Sequence, residues 1–203
     1  MAMTVQIAAI VEGHGECEAV PVLIRRVAAQ IDPGFVPVVL SPLRIPASKL
    51  RLAAEIERAV ELAARKLQGS GGIVIILDCD WSGGCPATDA PELLARATGA
   101  RSDLPIAVIL ANKEFENWFL AAADSLRGKH GLPADLKAPA KPEDIRGAKE
   151  WLSRRMQSRA YSATEDQAAF TAEFDMAAAR KADSFDKCYR EIVRILSVLR
   201  QEK

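Results

Sequence analysis

Ile73-Val74-Ile75-Ile76-Leu77-Asp78-Cys79-Asp80 is a run of five apolar residues that stops on two aspartates. A short, unbroken apolar run is what a strand buried on both faces requires, and such strands belong to parallel sheets. Immediately upstream, Ile56, Val60, Ala63 and Leu67 recur at helical spacing, with Ser48 placed to cap the helix and Gly69-Ser70-Gly71-Gly72 to end it. Further upstream, residues 5 to 11 form a second apolar run closed by Glu12-Gly13, and Val20, Leu23, Ile24, Val27 and Ile31 then fall on one helical face up to Asp32-Pro33-Gly34. Phe35 to Leu40 reads as a strand whose Pro37 cannot donate to a ladder, which places it at a sheet edge.

Downstream of the aspartates comes a Gly- and Pro-rich loop, Ser82-Gly83-Gly84-Cys85-Pro86. A short helix over 91–99, a strand over Ile106 to Leu110 and a helix from Phe115 to Ala123 follow it. Strands alternating with helices at this spacing predict an α/β fold, a mostly parallel four-stranded sheet with helices on both faces. From Asp124 to Pro142 the pattern is lost. Beyond it the chain reads as helical, with Phe185, Tyr189, Ile192, Leu196 and Leu199 on one packing stripe. The expected division is an α/β domain over 1–125 and a linker with a helical C-terminal extension over 126–203, packed on that domain.

The 203 residues suffice for one well-buried core. Lys plus Arg and Asp plus Glu are both 27, so the formal net charge is zero. Nucleic-acid binding would therefore need a local basic patch or metal-bridged phosphate contacts. Met1-Ala2-Met3-Thr4 carries no basic region, and the first apolar run breaks at Glu12, too early for a signal or membrane segment. A cytoplasmic protein without membrane association is expected. Cys17, Cys79, Cys85 and Cys188 form no Cys-x-x-Cys pair and read as reduced thiols.

Glu12, Asp78 and Asp80 stand where two of the strands run out. In a parallel sheet ligands collect outside the carboxyl ends of the strands, so these carboxylates can converge if the two strands are neighbours. Converging carboxylates call for a hard cation, and magnesium suits a sparse oxygen site completed by phosphate and water. A dinucleotide fingerprint fails, because its third glycine is replaced by Glu18, and no Gly-Lys-Ser/Thr occurs for a P-loop. Gly13 would let the chain turn beside the metal. Phe115, Trp118 and Phe119 make an apolar helical stripe flanked by Glu114 and Glu116, which can share a metal only if the helix begins after Glu114. Trp118 is read as core packing or as a platform for a base, and His14 as an exposed loop residue or a group orienting water or phosphate.

Glu-Gly after the first strand and Asp-x-Asp after the third resemble the Toprim domain of topoisomerases, primases and the overcoming-lysogenization-defect nucleases. The wider pattern is similar to a bacterial family of Toprim-like proteins that carries a domain-of-unknown-function label. It comprises Glu12-Gly13-x-Gly15-Glu16, Asp78-x-Asp80, Glu114-Phe115-Glu116-Asn117-Trp118-Phe119, Asp166-Gln167 and Ala179 to Phe185, and so spans nearly the whole chain. The resemblance implies Glu12, Asp78 and Asp80 as catalytic residues and metal ligands, with Glu16, Glu114 and Glu116 as further ligands. Lys113, Arg180 and Lys181 are candidate phosphate contacts, Arg180 and Lys181 being expected to face the acidic edge with Asp175 or Asp183 as counter-charges. The implied activity is magnesium-dependent cleavage of phosphodiesters in nucleic acid, DNA above RNA, with manganese as a substitute cation. The alternative is a non-catalytic subunit that binds a metal or nucleotide. Because the chain has no ATPase motif, a separate ATPase subunit in a defence system is the implied partner.

Overall fold

The computed structural model describes residues 5–68 and 71–201; Met1-Ala2-Met3-Thr4 and the Gly69-Ser70 part of the helix stop lie outside them. Five strands form one parallel sheet: β1 (Gln6–Val11), β2 (Val38–Val39), β3 (Leu43–Arg44), β4 (Gly72–Cys79) and β5 (Ile106–Asn112). The order is β2-β1-β4-β5, with β3 pairing β1 on the side where β2 does. β2 meets Gln6 and Ile7, and β3 meets Ile10 and Val11, so two short strands share one edge of β1 in succession. The expectation of four strands is corrected to five. Leu43-Arg44 is too short for a period and stands between Pro42 and Pro46. The strand expected over 35–40 narrows to Val38–Val39 beyond Pro37, and it does lie at the edge.

β1 and β4 are adjacent and parallel, with Ala8 opposite Ile73 and Val11 opposite Ile76. Successive residues of a strand face opposite ways. Ile7, Ala9, Val11, Val74, Ile76, Ala107 and Ile109 accordingly join one core, and Ala8, Ile10, Ile73, Ile75, Leu77, Val108 and Leu110 the other. The second core is closed by α2 (Ala47–Leu50), α3 (Glu55–Leu67) and α4 (Pro86–Ala100). The single helix expected after Ser48 is two, because the chain breaks at Ala54, where φ is 62°. α4 starts at Pro86 rather than 91, since proline fits a first helical turn that needs no N–H from it.

The first core takes in α1 (His14–Ile31), α5 (Asn117–Ala121), α6 (Ala148–Ser153), α7 (Ala163–Glu173), α8 (Met176–Ala179) and α9 (Asp183–Gln201). It runs unbroken across residue 125, joining Val74 and Ile109 of the sheet to Phe170, Phe185 and Leu196. Trp118 is fully buried at its centre, edge-on to Phe185, with its indole N–H donating to Ser184 Oγ at 2.8 Å. It is a core residue. α9 also closes the two ends of the outer edge of β5. Arg194 Nη2 donates to the Ile106 carbonyl at 2.8 Å, and Asn112 N–H donates to Ser184 Oγ at 3.1 Å. Between these ends Val108 and Leu110 line a cleft of about 560 Å³ with Pro91 and Leu94 of α4 and Lys187 of α9.

No helix among the described residues is long and apolar enough to cross a membrane. All four cysteines are free.

Candidate active site at the carboxyl edge of the sheet

Pairing of β1 with β4 puts their carboxyl ends side by side. Glu12 Oε2 accepts a hydrogen bond from the Asp78 N–H at 3.3 Å. Asp78 Oδ1 in turn accepts the Phe115 N–H at 2.8 Å, which ties the end of β4 to the turn after β5. Asp80, two residues on, is exposed and receives a 2.8 Å hydrogen bond from Arg146 Nη1.

Glu16, one turn into α1, folds back on the strand end. Its Oε2 accepts the N–H groups of Glu12 at 2.9 Å and Gly13 at 3.1 Å, so it caps the helix from the third helical position. Gly13 is extended, at φ −99°. What matters there is space, because a Cβ on Gly13 would stand 3.1 Å from Glu16 Oε1. Burial pushes the Glu16 carboxyl up to about 7, against the two backbone donors that favour its anion. His14 is the first residue of α1 and is exposed.

The helix after β5 begins at Asn117 rather than Phe115, so Glu114 and Glu116 occupy the preceding turn and reach one point. That point holds an ammonium group. Lys149 Nζ lies 3.2 Å from Glu114 Oε2, 3.3 Å from Glu116 Oε2 and 3.7 Å from Asp78 Oδ2. Burial alone depresses this lysine, but Glu116, Asp78 and Glu114 together outweigh it and hold the ammonium above the usual lysine range. Asp78 is shifted well up, chiefly by burial and then by Glu16 and Glu116, with Lys149 opposing. Glu116 is also raised by burial and lowered in part by Lys149.

Glu116 has no exposed surface. Its Oε1 accepts from Tyr161 Oη at 3.0 Å and Gln167 Nε2 at 3.3 Å. Its Oε2 accepts no hydrogen bond, so its contact with Lys149 is one of charge. Gln167 reaches Glu116 because α7 lies directly on the first turn of α1. A Cβ on Gly15 would come within 2.7 Å of the Ala163 carbonyl carbon and would overlap Gln167 Oε1. The glycine is thus explained by helix contact rather than by a phosphate. Asp166 holds Arg159 at 2.8 Å and accepts the Ser162 N–H, ordering the start of α7.

Lys149 and Arg146 arrive on a strap over 142–149. Asn117 Nδ2 donates to the carbonyls of Pro142 at 2.7 Å and Ile145 at 2.9 Å, and Glu143 accepts the N–H groups of Asp183 and Ser184 that open α9. Glu114 accepts the N–H groups of Ala148 and Lys149 at 3.3 and 3.4 Å. Sequence reasoning missed both cations. The only general signal is that several buried carboxylates require a compensating charge, and it does not say which residue supplies it.

Among the phosphate candidates, Lys113 lies at the carboxyl edge, where an isolated bridge holds it beside Cys79 at the end of β4. Its φ of 78° is a left-handed conformation costing a lysine about 1–3 kcal/mol. Arg180 takes neither expected partner; it pairs with Asp186 at 2.7 Å and stacks on Tyr189. Asp175 instead caps α8 and Asp183 opens α9. Lys181 is exposed.

Glu12, Asp78, Asp80, Glu16, Glu114 and Glu116 are an all-oxygen donor set, the class magnesium takes, and the buried Glu116 Oε2, which accepts no hydrogen bond, already faces the Lys149 ammonium at 3.3 Å. Among the described residues, no three acidic, histidine or cysteine side chains are grouped closely enough to ligate one ion. Lys149 and Arg146 stand against the carboxylates that would do so.

A family model described as "Domain of unknown function (DUF4276)" matches residues 11–192, and the chain belongs to that family. Comparison with curated proteins finds no match. Among solved structures, the chain is similar to the C-terminal region of the Burkholderia pseudomallei OLD protein, at 15% identity over 98% of this chain and 99% of that one, with a TM-score of 0.42.

Proposed function

We propose that this member of the family is a magnesium-dependent nuclease that cleaves phosphodiesters in nucleic acid, DNA being the expected substrate. The observation that carries the reading is the Glu12–Asp78 contact of 3.3 Å across the ends of adjacent parallel strands, with Asp80 on the open side of the same strand end. Once Arg146 releases Asp80 and the side chains draw together, a metal held by Glu12, Asp78 and Asp80, with manganese able to replace magnesium, would stabilise developing phosphoryl charge and lower the pKa of an attacking water. Glu12 is anchored through Oε2, which leaves Oε1 for ligation or proton transfer. Lys149, with its side chain 40% exposed, can turn its ammonium from the carboxylates toward a phosphate oxygen. Tyr161 and Gln167 keep Glu116 fixed while that happens. A separate ATPase chain, within a system directed against foreign DNA, remains the partner this reading favours.

The test is plasmid nicking by the wild-type protein and Asp80→Asn, with and without magnesium, alongside thermal melts. Nicking only with magnesium, lost in a variant that melts normally, supports the reading. Undiminished nicking by the variant removes Asp80 from the mechanism. One observation favours a second reading, a binding subunit without turnover: Lys149 and Arg146 are already paired with carboxylates of the site. Calorimetric magnesium binding by a wild-type protein that never cleaves would select it.

A further inference from the structure

Sheet order fixes what stands along the carboxyl edge. β3 lies beside β1, β1 beside β4 and β4 beside β5, so the edge reads Arg44, Glu12, Asp78 with Asp80, and Lys113. Three strand intervals of about 4.8 Å put the backbones that carry the two cations about 14 Å apart, with those of the carboxylates between them. Arg44 is exposed and Lys113 half-buried, and neither has an ion-pair or side-chain hydrogen-bond partner among the described residues. Their neighbours are engaged. Arg146 holds Asp80, Lys149 holds three carboxylates, Arg51 stacks on Trp81 at 4.2 Å and Lys49 pairs with Glu55. Lys113 is also kept in its left-handed conformation by the fold around it, and strained residues of this kind cluster at functional sites.

A row of carboxylates repels a polyanion, and a chain with no net charge offers no long-range attraction to offset it. Unpaired cations flanking the row supply that attraction where the backbone must pass. We propose that Arg44 and Lys113 are paired phosphate-binding posts. One nucleic-acid strand then crosses the sheet edge from β3 to β5, with flanking phosphates on the two cations and the scissile phosphate over Glu12, Asp78 and Asp80. This rests on the nuclease reading and adds to it a direction, two binding residues and indifference to base sequence, since phosphate contacts position without reading bases.

The experiment measures binding of a fluorescent single-stranded oligonucleotide by anisotropy across a salt series, with calcium replacing magnesium to hold the substrate intact. Arg44→Gln and Lys113→Gln are each expected to bind several-fold more weakly. The slope of log K against log salt should fall by about 0.7 for each cation removed from a single strand. Lys113→Gly removes the charge while releasing the backbone strain, so weaker binding with an unchanged or raised melting temperature separates a phosphate contact from a folding defect. Arg65→Gln, on α3 away from the edge, is expected to leave both readouts unchanged. If the wild type binds and the Arg44 and Lys113 variants keep its affinity and slope, the posts are wrong and the nuclease reading stands. If the wild type neither binds nor cleaves, both fall.

Discussion

The carboxylates of the edge and the cations that face them are held by two unlike parts of the molecule. Glu12 and Asp78 sit at the ends of buried strands whose positions are fixed by ladder pairing on both sides of β4. Arg146 and Lys149 ride on a strap with one short 3-10 turn and the first turn of a six-residue helix, pinned by Asn117, Glu143 and Glu114. The difference sets carboxylates carried by sheet ladders against cations carried by a strap that side-chain hydrogen bonds hold in place. On the nuclease reading, a metal ion replaces the Lys149 ammonium among the carboxylates when the strap moves and the sheet stays as it is.

Substitution tests that division most strongly at Lys149. Lys149→Met removes the ammonium from among three carboxylates and leaves Glu116, which has no exposed surface, without a counter-charge. A wholly buried broken pair costs about 3–5 kcal/mol, and partial exposure of the lysine brings the expected loss to about 2–3 kcal/mol at neutral pH. Urea unfolding at pH 5 and pH 8 checks it: the deficit should shrink at the lower pH, and magnesium should restore part of it. An unchanged midpoint would mean that the carboxylates do not depend on the strap.

Gly15→Ala probes how closely the C-terminal half is pressed on the strand end. The added methyl meets the Ala163 backbone, which cannot step aside as a flexible side chain would. The expected loss is about 2 kcal/mol, typical of overpacking, together with a less protected Tyr161 in hydrogen exchange or fluorescence.

A pH series addresses the negative side alone. The Glu16 carboxyl is raised from 4.5 to about 7, so the folded state binds a proton more tightly than the unfolded chain. Its contribution to stability is full below about 4.5 and is lost as pH rises through about 7; Asp78 and Glu116 shift in the same sense. The melting temperature should therefore fall from pH 5 to pH 8. Glu16→Gln, which keeps an acceptor for the Glu12 and Gly13 N–H groups, should flatten that fall, removing roughly 1–2 kcal/mol of the stability lost between the two pH values. A steeper fall in the variant would contradict the assignment. Arg146→Ala is expected to do least, within about 0.5 kcal/mol, because its pair with Asp80 is at the surface. Calorimetry should nevertheless show tighter magnesium binding once Asp80 is released.

The rigid half was the legible half. Unbroken apolar runs announced β1, β4 and β5, and Glu12 and Asp78 were placed together because adjacent parallel strands end on the same side. β3 carried no signal, since two residues between prolines have no period. Glu114 and Glu116 would stand apart on a regular helix and converge because the helix starts two residues later than its apolar stripe suggests. Arg146 and Lys149 look, in sequence, like Lys141, an exposed residue of the same segment. What singles them out is a set of hydrogen bonds, donated by Asn117 and accepted by Glu114, between residues distant in the sequence. Gly15 belongs to a sequence motif, but the reason for it, the path of α7, is a tertiary fact.

Arg194 and Ser184, which hold the ends of the outer edge of β5, make α9 a guard against other chains as well as a packing helix. An uncovered parallel edge presents a row of free N–H and C=O groups and invites a stranger's strand. β5 precedes α9 by some seventy residues, so a growing chain exposes that edge well before its cover exists. A chain ending before Asp183 should accordingly associate with itself, and light scattering should detect this before circular dichroism shows any loss of sheet.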